Sequence, residues 1–218
     1  MTIDMSDNRS IVEKIESELT SDQSRRFKRQ IKFLLEADKL KNTLRRSVLM
    51  DRSRRENSAE HSWHIALLAL VLSEYARGDA IDMFRVVKML LIHDLVEIDA
   101  GDTFCYDDQG RQDQARREVQ AADRIFNILP EDQARSFLKL WQEFEARETA
   151  ESRLANALDR LQPLLHNYFT EGYTWQQNGV KSNQVVDRMQ PIEDGSPFLW
   201  KYVLAIIDDA VDKGYLSK

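Results

Sequence analysis

Apolar side chains recur at helical spacing along most of the chain. In residues 24–42, for example, Phe27, Ile31 and Leu35 follow one another every fourth residue among lysines and arginines. Residues 80–98 are more apolar, which is typical of a central helix that ends around Glu97 to Asp99. The pattern as a whole predicts helices over residues 10–20, 24–42, 59–77, 80–98, 111–128, 131–148, 150–169, 181–190 and 197–213.

Glycine, proline and polar runs mark the breaks between these helices. Gly78 ends the helix over residues 59–77, and Pro130 precedes the helix over 131–148. Pro163 lies inside the helix over 150–169 and predicts either a kink or a division there. Segments without helical periodicity predict loops over residues 43–58, 99–110 and 171–180, and the first of these is expected to be a structured loop.

The low content of glycine and proline favours helices over a β-rich fold. The chain has seven Gly and four Pro in 218 residues, whereas many tight turns would require more. No internal repeat or domain linker is visible. We therefore predict one all-α domain over residues 1–218, a helical bundle without a significant sheet. Its core is expected over about 24–170, with C-terminal helices at about 181–213 packing on it.

Composition and charge restrict the class of protein. Hydrophobic residues make up 42% of the chain and charged residues 31%, which suits a globular protein with a core. The formal net charge of −6 argues against a nucleic-acid polymer or an anionic membrane as partner, but it is compatible with a small anionic substrate in a locally basic pocket. A single cysteine, no signal-peptide pattern and no membrane-span run predict a cytoplasmic protein.

One cluster of ionisable residues follows the most apolar stretch of the sequence. Within Lys88–Phe104, His93 and Asp94 come directly after four apolar residues, and Glu97 and Asp102 follow within nine residues. Burying such groups is unfavourable unless something pairs with them. Divalent first-row metals accept imidazole and carboxylate ligands, and Glu97 would share a helical face with His93 and Asp94. This stretch is therefore a candidate metal site.

Two further donors lie in apolar helices, His61 in "SAEHSWHIALLAL" and Asp159 in "LANALDRLQPLL". Each group taken singly has an ordinary structural explanation. The His-Asp pair suits a helix-end ion pair, Glu97 and Asp102 suit a solvated surface, and Asp159 could pair with Arg160. Taken together, two histidines and several acids in apolar surroundings are difficult to explain without a cation.

Three segments resemble, in the same order, the metal-binding segments of the HD-domain hydrolases. They are "SAEHSWHIALLAL", "LLIHDLVEIDAGD" and "LANALDRLQPLLHNY", and the resemblance spans about residues 30–170. It is closest to the branch that contains bacterial 5′-deoxynucleotidases and their HD-domain relatives. The resemblance implies an HD-type helical domain and one divalent ion, either Mn, Co, Mg, Zn, Ni or Fe. The implied ligands are His61, His93, Asp94 and Asp159.

The resemblance also implies catalytic roles for Glu97, the glutamate of HDxxE, and for Asp102, the aspartate of GD. We expect His64 to support the site or to pack, and His166 to be mainly structural. No basic residue flanks Cys105 to lower its pKa, so it is not expected to be a nucleophile.

Five arginines precede His61 and make residues 45–55 locally basic. A guanidinium can bind phosphate oxygens in a bidentate manner, although a solvated basic loop explains most of these residues equally well. In the related nucleotidases an arginine in this segment contacts the substrate phosphate. Arg45 is the nearest match and Arg46 is the rival. The aromatic residue that often accompanies this arginine is absent here.

These observations predict a metal-dependent phosphohydrolase that hydrolyses (deoxy)nucleoside 5′-monophosphates and binds no nucleic-acid polymer or membrane. Two other activities, phosphodiester hydrolysis and nucleotide pyrophosphate cleavage, would use the same ligands. A metal-stabilised helical scaffold or ligand sensor is the alternative without catalysis. By resemblance, a homodimer is expected.

Overall fold

Helices form most of the chain, and a short hairpin interrupts them near the N-terminus. The computed structural model describes residues 20–78, 80–107 and 109–218. The elements are α1 (Ser21–Ala37), β1 (Leu44–Val48), β2 (Arg55–Asn57), α2 (Ser58–Leu72), α3 (Met83–Ile92), α4 (Glu97–Ala100), α5 (Gln114–Phe126), α6 (Glu131–Ala146), α7 (Ala150–Phe169), α8 (Tyr173–Gln177), α9 (Ser182–Met189), α10 (Ile192–Gly195) and α11 (Pro197–Asp212). Shorter 3₁₀ turns cover Asp38–Asn42, Ser73–Tyr75 and His93–Val96.

The prediction of a mostly α-helical fold is confirmed. The helix predicted over residues 10–20 lies outside the described residues except for Thr20. None of the helices in the described ranges is long and apolar enough to cross a membrane. Pro163 does not divide its helix, because α7 continues through it to Phe169.

Local capping determines where two important helices begin. The Asn57 side chain accepts from the backbone N–H of Glu60, whose own side chain accepts from the N–H of Asn57. Thr149 and Ser152 form the same reciprocal arrangement at the start of α7. The first capping box places His61 in the opening turn of α2, and the second sets the register of α7.

The centre of the fold is α7, which packs against α2, α3, α6 and α10. Its inward-facing leucines, Leu154, Leu158 and Leu161, are 1% exposed or less. Burial of such side chains stabilises a fold by about 1.5–3 kcal/mol each. A ligand side chain on α7 is thus held on a rigid element.

Residues 43–58 contain a β-hairpin, where a structured loop without strands was predicted. β1 and β2 are antiparallel, with Leu44 opposite Asn57 and Val48 opposite Arg55. The strand β1 also contacts α7. A three-residue strand is too short to produce a clear alternation in the sequence, and tertiary contact stabilises it.

The helix predicted over residues 80–98 is interrupted at the His-Asp pair. α3 ends at Ile92, a 3₁₀ turn carries His93–Val96, and α4 follows as a separate helix. The side chain of His93 donates from Nδ1 to the Leu90 carbonyl (2.9 Å), which helps to end α3. The tighter turn leaves both His93 and Asp94 buried.

A second correction concerns residues 171–180, where α8 occupies part of the predicted loop.

Candidate metal centre

Two histidines and two aspartates from three separate segments meet in the interior. His61 comes from α2, His93 and Asp94 from the 3₁₀ turn, and Asp159 from α7. Nε2 of His61 lies 3.0 Å from Oδ1 of Asp159, and Nε2 of His93 lies 2.9 Å from Oδ1 of Asp94. Two longer distances complete the group, 3.7 Å from His93 Nε2 to Asp159 Oδ1 and 4.0 Å from His61 Nε2 to Asp94 Oδ2.

Hydrogen bonds on the far side of each imidazole assign the two tautomers. Nδ1 of His61 donates to Oε1 of Gln162 (3.0 Å), and Nδ1 of His93 donates to the Leu90 carbonyl. Each ring therefore carries a proton on Nδ1 and turns Nε2 towards the aspartates. Nε2 of His93 is buried and makes no hydrogen bond of good geometry, although a carboxylate oxygen lies 2.9 Å away.

The electrostatics of this group favour positive charge at its centre. Burial alone lowers the pKa of His93, but Asp94 and Asp159 together raise it well above its usual range. Burial alone raises the pKa of Asp159, yet His61 and His93 hold it well below the usual value. The negative charge of Asp94 and Asp159 that favours a proton on His93 would also favour a bound metal ion.

A divalent cation fits this set of donors. Two imidazole nitrogens here face two carboxylates that burial makes costly to keep charged unless a proton or a cation lies between them. Two nitrogen and two oxygen donors form a common set for first-row divalent metals. The distances support this, since donor atoms of His61, His93 and Asp94 all lie within 4.8 Å of one another.

The two acids predicted as catalytic border the same group. Oε2 of Glu97 accepts from the hydroxyl of Ser58 (2.6 Å), and burial together with Asp94 raises the pKa of Glu97 well above its usual value. Gly101 ends α4 at φ 74°, a conformation that suits glycine, and the chain then turns to Asp102. Burial raises the pKa of Asp102 as well, although Arg45 opposes the shift.

Arg45 and Arg46 occupy different environments because side chains alternate along β1. Nη1 of Arg45 donates to Oδ2 of Asp94 (2.9 Å) and lies 3.9 Å from Oδ1 of Asp102. Arg46 is exposed, although it also lines the pocket beside the metal centre. The guanidinium of Arg45 therefore contacts the cluster formed by the two histidines and two aspartates, through Asp94.

A comparison of the sequence with models of protein families identifies the family of this chain. The model of the HD domain matches residues 37–200, which include all the side chains described above. The chain belongs to the HD-domain family. The resemblance seen in the three sequence segments is thereby confirmed.

Solved structures and curated proteins are similar to this HD domain to different degrees. A predicted metal-dependent phosphohydrolase from Magnetospirillum magnetotacticum MS-1 is 54% identical with a TM-score of 0.86, over 90% of this chain and 98% of that one. Human 5′-deoxynucleotidase HDDC2 is 30% identical over 112 residues, 51% of this chain and 53% of the human protein. The chain thus spans about half the length of the curated relatives it matches. A conserved hypothetical protein from Pyrococcus furiosus shares the fold, with a TM-score of 0.56 and 24% identity over 84% of this chain and 99% of that one.

Two residues of this HD domain that sequence reasoning missed lie behind His61. Gln162, fully buried, accepts from His61 through Oε1 and donates through Nε2 to Oε1 of Glu56 (2.6 Å). Glu56 is also buried, and its other oxygen accepts from Ser47 and lies 3.9 Å from Nε of Arg45. The spacing of Gln162, three residues after Asp159 on one helical face, is a signal that could have identified it.

His64 and His166 belong to this supporting layer of the HD domain rather than to the ligand group. Nε2 of Gln162 lies 3.3 Å from Nδ1 of His64 and 3.1 Å from Nε2 of His166. Glu56 and the two histidines place donor atoms within 4.8 Å of one another, with the Gln162 amide next to all three. The supporting or packing role expected for His64 and the structural role expected for His166 stay predictions. Burial raises the pKa of the Cys105 thiol, although Arg188, which lies close to it in the fold, opposes the shift.

Proposed function

We propose that the chain is a metal-dependent phosphohydrolase that converts (deoxy)nucleoside 5′-monophosphates into nucleoside and phosphate. The observation that carries this proposal is the convergence of Nε2 of His61 and of His93 on the carboxylates of Asp159 and Asp94, beside the guanidinium of Arg45. A cation and an adjacent guanidinium suit a phosphate group. Membership of the HD-domain family supports the reaction class, and similarity to proteins named 5′-deoxynucleotidase supports the nucleotide.

The proposed ligands of one divalent ion are His61, His93, Asp94 and Asp159. When bound, such an ion supplies positive charge for the phosphate oxygens and makes a water molecule more acidic. The donor set is compatible with Mn, Co, Mg, Zn, Ni or Fe, so metal identity is a matter for measurement.

Glu97 and Asp102 are proposed to move the two protons of the reaction. Glu97 removes a proton from the attacking water, and its raised pKa makes it a stronger base than an ordinary glutamate. The new bond forms between the water oxygen and phosphorus while the bond from phosphorus to the 5′-oxygen breaks. Asp102 donates a proton to the departing 5′-oxygen, a role that its raised pKa favours.

Arg45 is proposed to offset negative charge on the phosphoryl group. Its contact with Asp94 holds the guanidinium beside the ligand group before the substrate arrives, so little reorganisation is needed on binding. Arg46 remains the secondary candidate for the phosphate, since it lines the same pocket from an exposed position.

The decisive experiment combines Asp94→Ala with a substrate panel. We expect the variant to lose both bound metal and phosphate release while its helical circular dichroism stays close to that of the wild type. Metal content is measured by elemental analysis and turnover by phosphate release in Mn²⁺, Co²⁺, Mg²⁺ and Zn²⁺. Asp208→Ala, which changes an exposed acid on α11, is the matched control and should leave both unchanged.

The panel also separates the alternatives. Mononucleotides, cyclic nucleotides and nucleotides with a pyrophosphate group distinguish monoesterase, phosphodiesterase and pyrophosphohydrolase activity. Undiminished turnover by metal-analysed Asp94→Ala would contradict the proposal, and the absence of turnover by the wild type in every metal would favour a ligand sensor.

We also propose a homodimer in the cytoplasm. The second half of α2, residues 65–72, is apolar on all sides, and Trp63, Leu70 and Val71 of this helix are each more than 60% exposed. Large exposed apolar patches are typical of protein interfaces. Sedimentation analysis should give twice the chain mass of 25.5 kDa, and a monomer throughout would contradict this part of the proposal.

A further inference from the structure

One side of the pocket carries positive charge that the proposed reaction does not use. The pocket has a volume of about 370 Å³ and opens beside the metal centre. Arg147, Arg160 and Arg188 line it, in addition to Arg45. They come from the end of α6, the middle of α7 and α9, so three separate helices bring guanidiniums to one cavity.

Arg160 is the buried member of this group. It follows Asp159 directly on α7 and is only 3% exposed. Nη1 donates to the carbonyl and to the side-chain oxygen of Asn156, both at 3.0 Å, which holds the guanidinium in place. Nε is buried without a hydrogen-bond partner. A buried guanidinium with an unused donor is unfavourable unless an anion compensates it.

None of Arg147, Arg160 and Arg188 takes part in an ion pair within the described parts of the chain. Several other arginines are paired with carboxylates, among them Arg26 with Asp132, Arg45 with Asp94, Arg54 with Glu60, Arg85 with Glu143 and Arg124 with Asp99. Arg188 and Arg147 repel the guanidinium of Arg160, whereas Asp159 and Glu145 attract it without forming an ion pair with it.

We propose that Arg147, Arg160 and Arg188 form a subsite for a second phosphate group on the nucleotide substrate. This inference rests on the proposed function, since it assumes that the metal centre and Arg45 take the first phosphate. Guanidinium groups bind phosphate oxygens through charge-assisted hydrogen bonds, and three of them with no carboxylate partner match such a group. The volume of the pocket lies in the range of small-molecule sites.

The second phosphate can lie on the sugar or on the 5′-phosphate itself. A nucleoside 3′,5′-bisphosphate and a nucleoside 5′-diphosphate present the same chemistry in different positions. The experiment therefore compares thymidine 3′,5′-bisphosphate and thymidine 5′-diphosphate with thymidine 5′-monophosphate, in the presence of Mn²⁺.

Binding is measured in two independent ways, by inhibition of turnover and by thermal stabilisation. Inhibition of thymidine 5′-monophosphate hydrolysis gives an affinity for each two-phosphate compound. Thermal stabilisation by each ligand gives a relative affinity without any turnover, so the subsite can be tested even if the monophosphate is not hydrolysed. The variants are Arg188→Gln and Arg147→Gln/Arg188→Gln, which leave the buried Arg160 intact. Arg135→Gln removes an exposed arginine of α6 as the matched control.

For the wild type, we expect at least one two-phosphate ligand to bind about tenfold or more tightly than the monophosphate. The compound that gains affinity identifies the position of the second phosphate. Arg188→Gln should remove most of this preference, and the double variant should remove all of it. Equal affinities in the wild type would overturn the proposal, as would a preference that survives in the double variant or disappears equally in Arg135→Gln.

Discussion

At the scale of single residues, Gln162 connects a proposed metal ligand to a buried carboxylate. Its Oε1 accepts the proton of His61 Nδ1, and its Nε2 donates to Glu56. An amide in this position does two things at once. It fixes which nitrogen of His61 carries the proton, and it restricts rotation of the ring. Both effects keep the Nε2 lone pair directed at Asp159.

Gln162→Leu should weaken metal binding without removing any ligand. Leucine has a similar volume but cannot accept from Nδ1, so His61 becomes free to change tautomer. Loss of such a partner typically reduces metal affinity about 10–100-fold. Competition with a chromogenic chelator measures the dissociation constant directly and does not depend on turnover.

The control for this measurement is Gln120→Leu on the exposed face of α5. It should leave metal affinity unchanged. If Gln162→Leu bound metal as tightly as the wild type while remaining folded, the hydrogen bond to His61 would have no role in ligand orientation.

At the scale of secondary-structure elements, the pair of Arg85 and Glu143 joins three helices. Nε of Arg85 on α3 donates to both carboxylate oxygens of Glu143 on α6 at 3.0 Å. Oε1 also accepts from the hydroxyl of Thr149, the residue that caps α7 (2.7 Å). The hydrogen bond from Arg85 is the main reason why the pKa of Glu143 is lowered. The contact therefore helps to set the position of α7, which carries Asp159, relative to α3, which leads into the turn with His93 and Asp94.

Glu143→Gln should lower the free energy of unfolding by about 1 kcal/mol at pH 7, because the charge-assisted bonds are weakened but Arg85 is partly exposed. A carboxylate whose pKa is lower in the folded state stabilises the fold above its unfolded pKa of about 4.5 and loses this contribution as the pH falls through the folded value. The difference between wild type and variant should therefore shrink below pH 4.5.

Urea unfolding at pH 7, 5 and 4 measures this difference. Glu131→Gln provides the comparison, since Glu131 pairs with Arg135 on the exposed surface of α6 and should change stability by less than about 0.5 kcal/mol. A Glu143→Gln difference that stayed constant over the whole pH range would show that ionisation of this carboxylate does not stabilise the helix junction.

At the scale of the whole molecule, the proposed metal centre links segments that are far apart in sequence. His61 and Asp159 are 98 positions apart, and each lies on an element that packs in the core. An ion held by both binds the folded state and finds no such arrangement in the unfolded chain. Metal binding should therefore contribute to global stability.

Removal of metal with EDTA should lower the melting temperature, and restoring a divalent ion should reverse the change. With free metal at 100 times its dissociation constant, the expected stabilisation is about 2.7 kcal/mol. Differential scanning calorimetry provides the measurement. Asp94→Ala, which lacks a ligand, should melt at the same temperature with and without metal, and a wild type that is equally insensitive would contradict a structural contribution from the ion.

Most of the helices and the identity of the family could be predicted from the sequence alone. Apolar periodicity and the capping residues Asn57 and Thr149 are local signals, so they need no knowledge of the fold. The ordered segments that contain His61, His93, Asp94 and Asp159 carried the resemblance for the same reason. The proposed roles of these residues remain predictions, but the tertiary structure does bring them together.

Only the tertiary structure decided how these residues are arranged and what surrounds them. The hairpin at residues 44–57 and the break at His93 depend on contacts with distant elements, which leave no period in the sequence. The hydrogen bonds from Gln162 to His61 and Glu56 join residues about 100 positions apart. The partners of the arginines in the pocket also depend on distant residues. Whether Arg160 has a carboxylate partner is determined by the side chains that the fold packs around it. Local sequence thus determined the elements and the chemical groups, whereas long-range packing determined their partners, burial and charge balance.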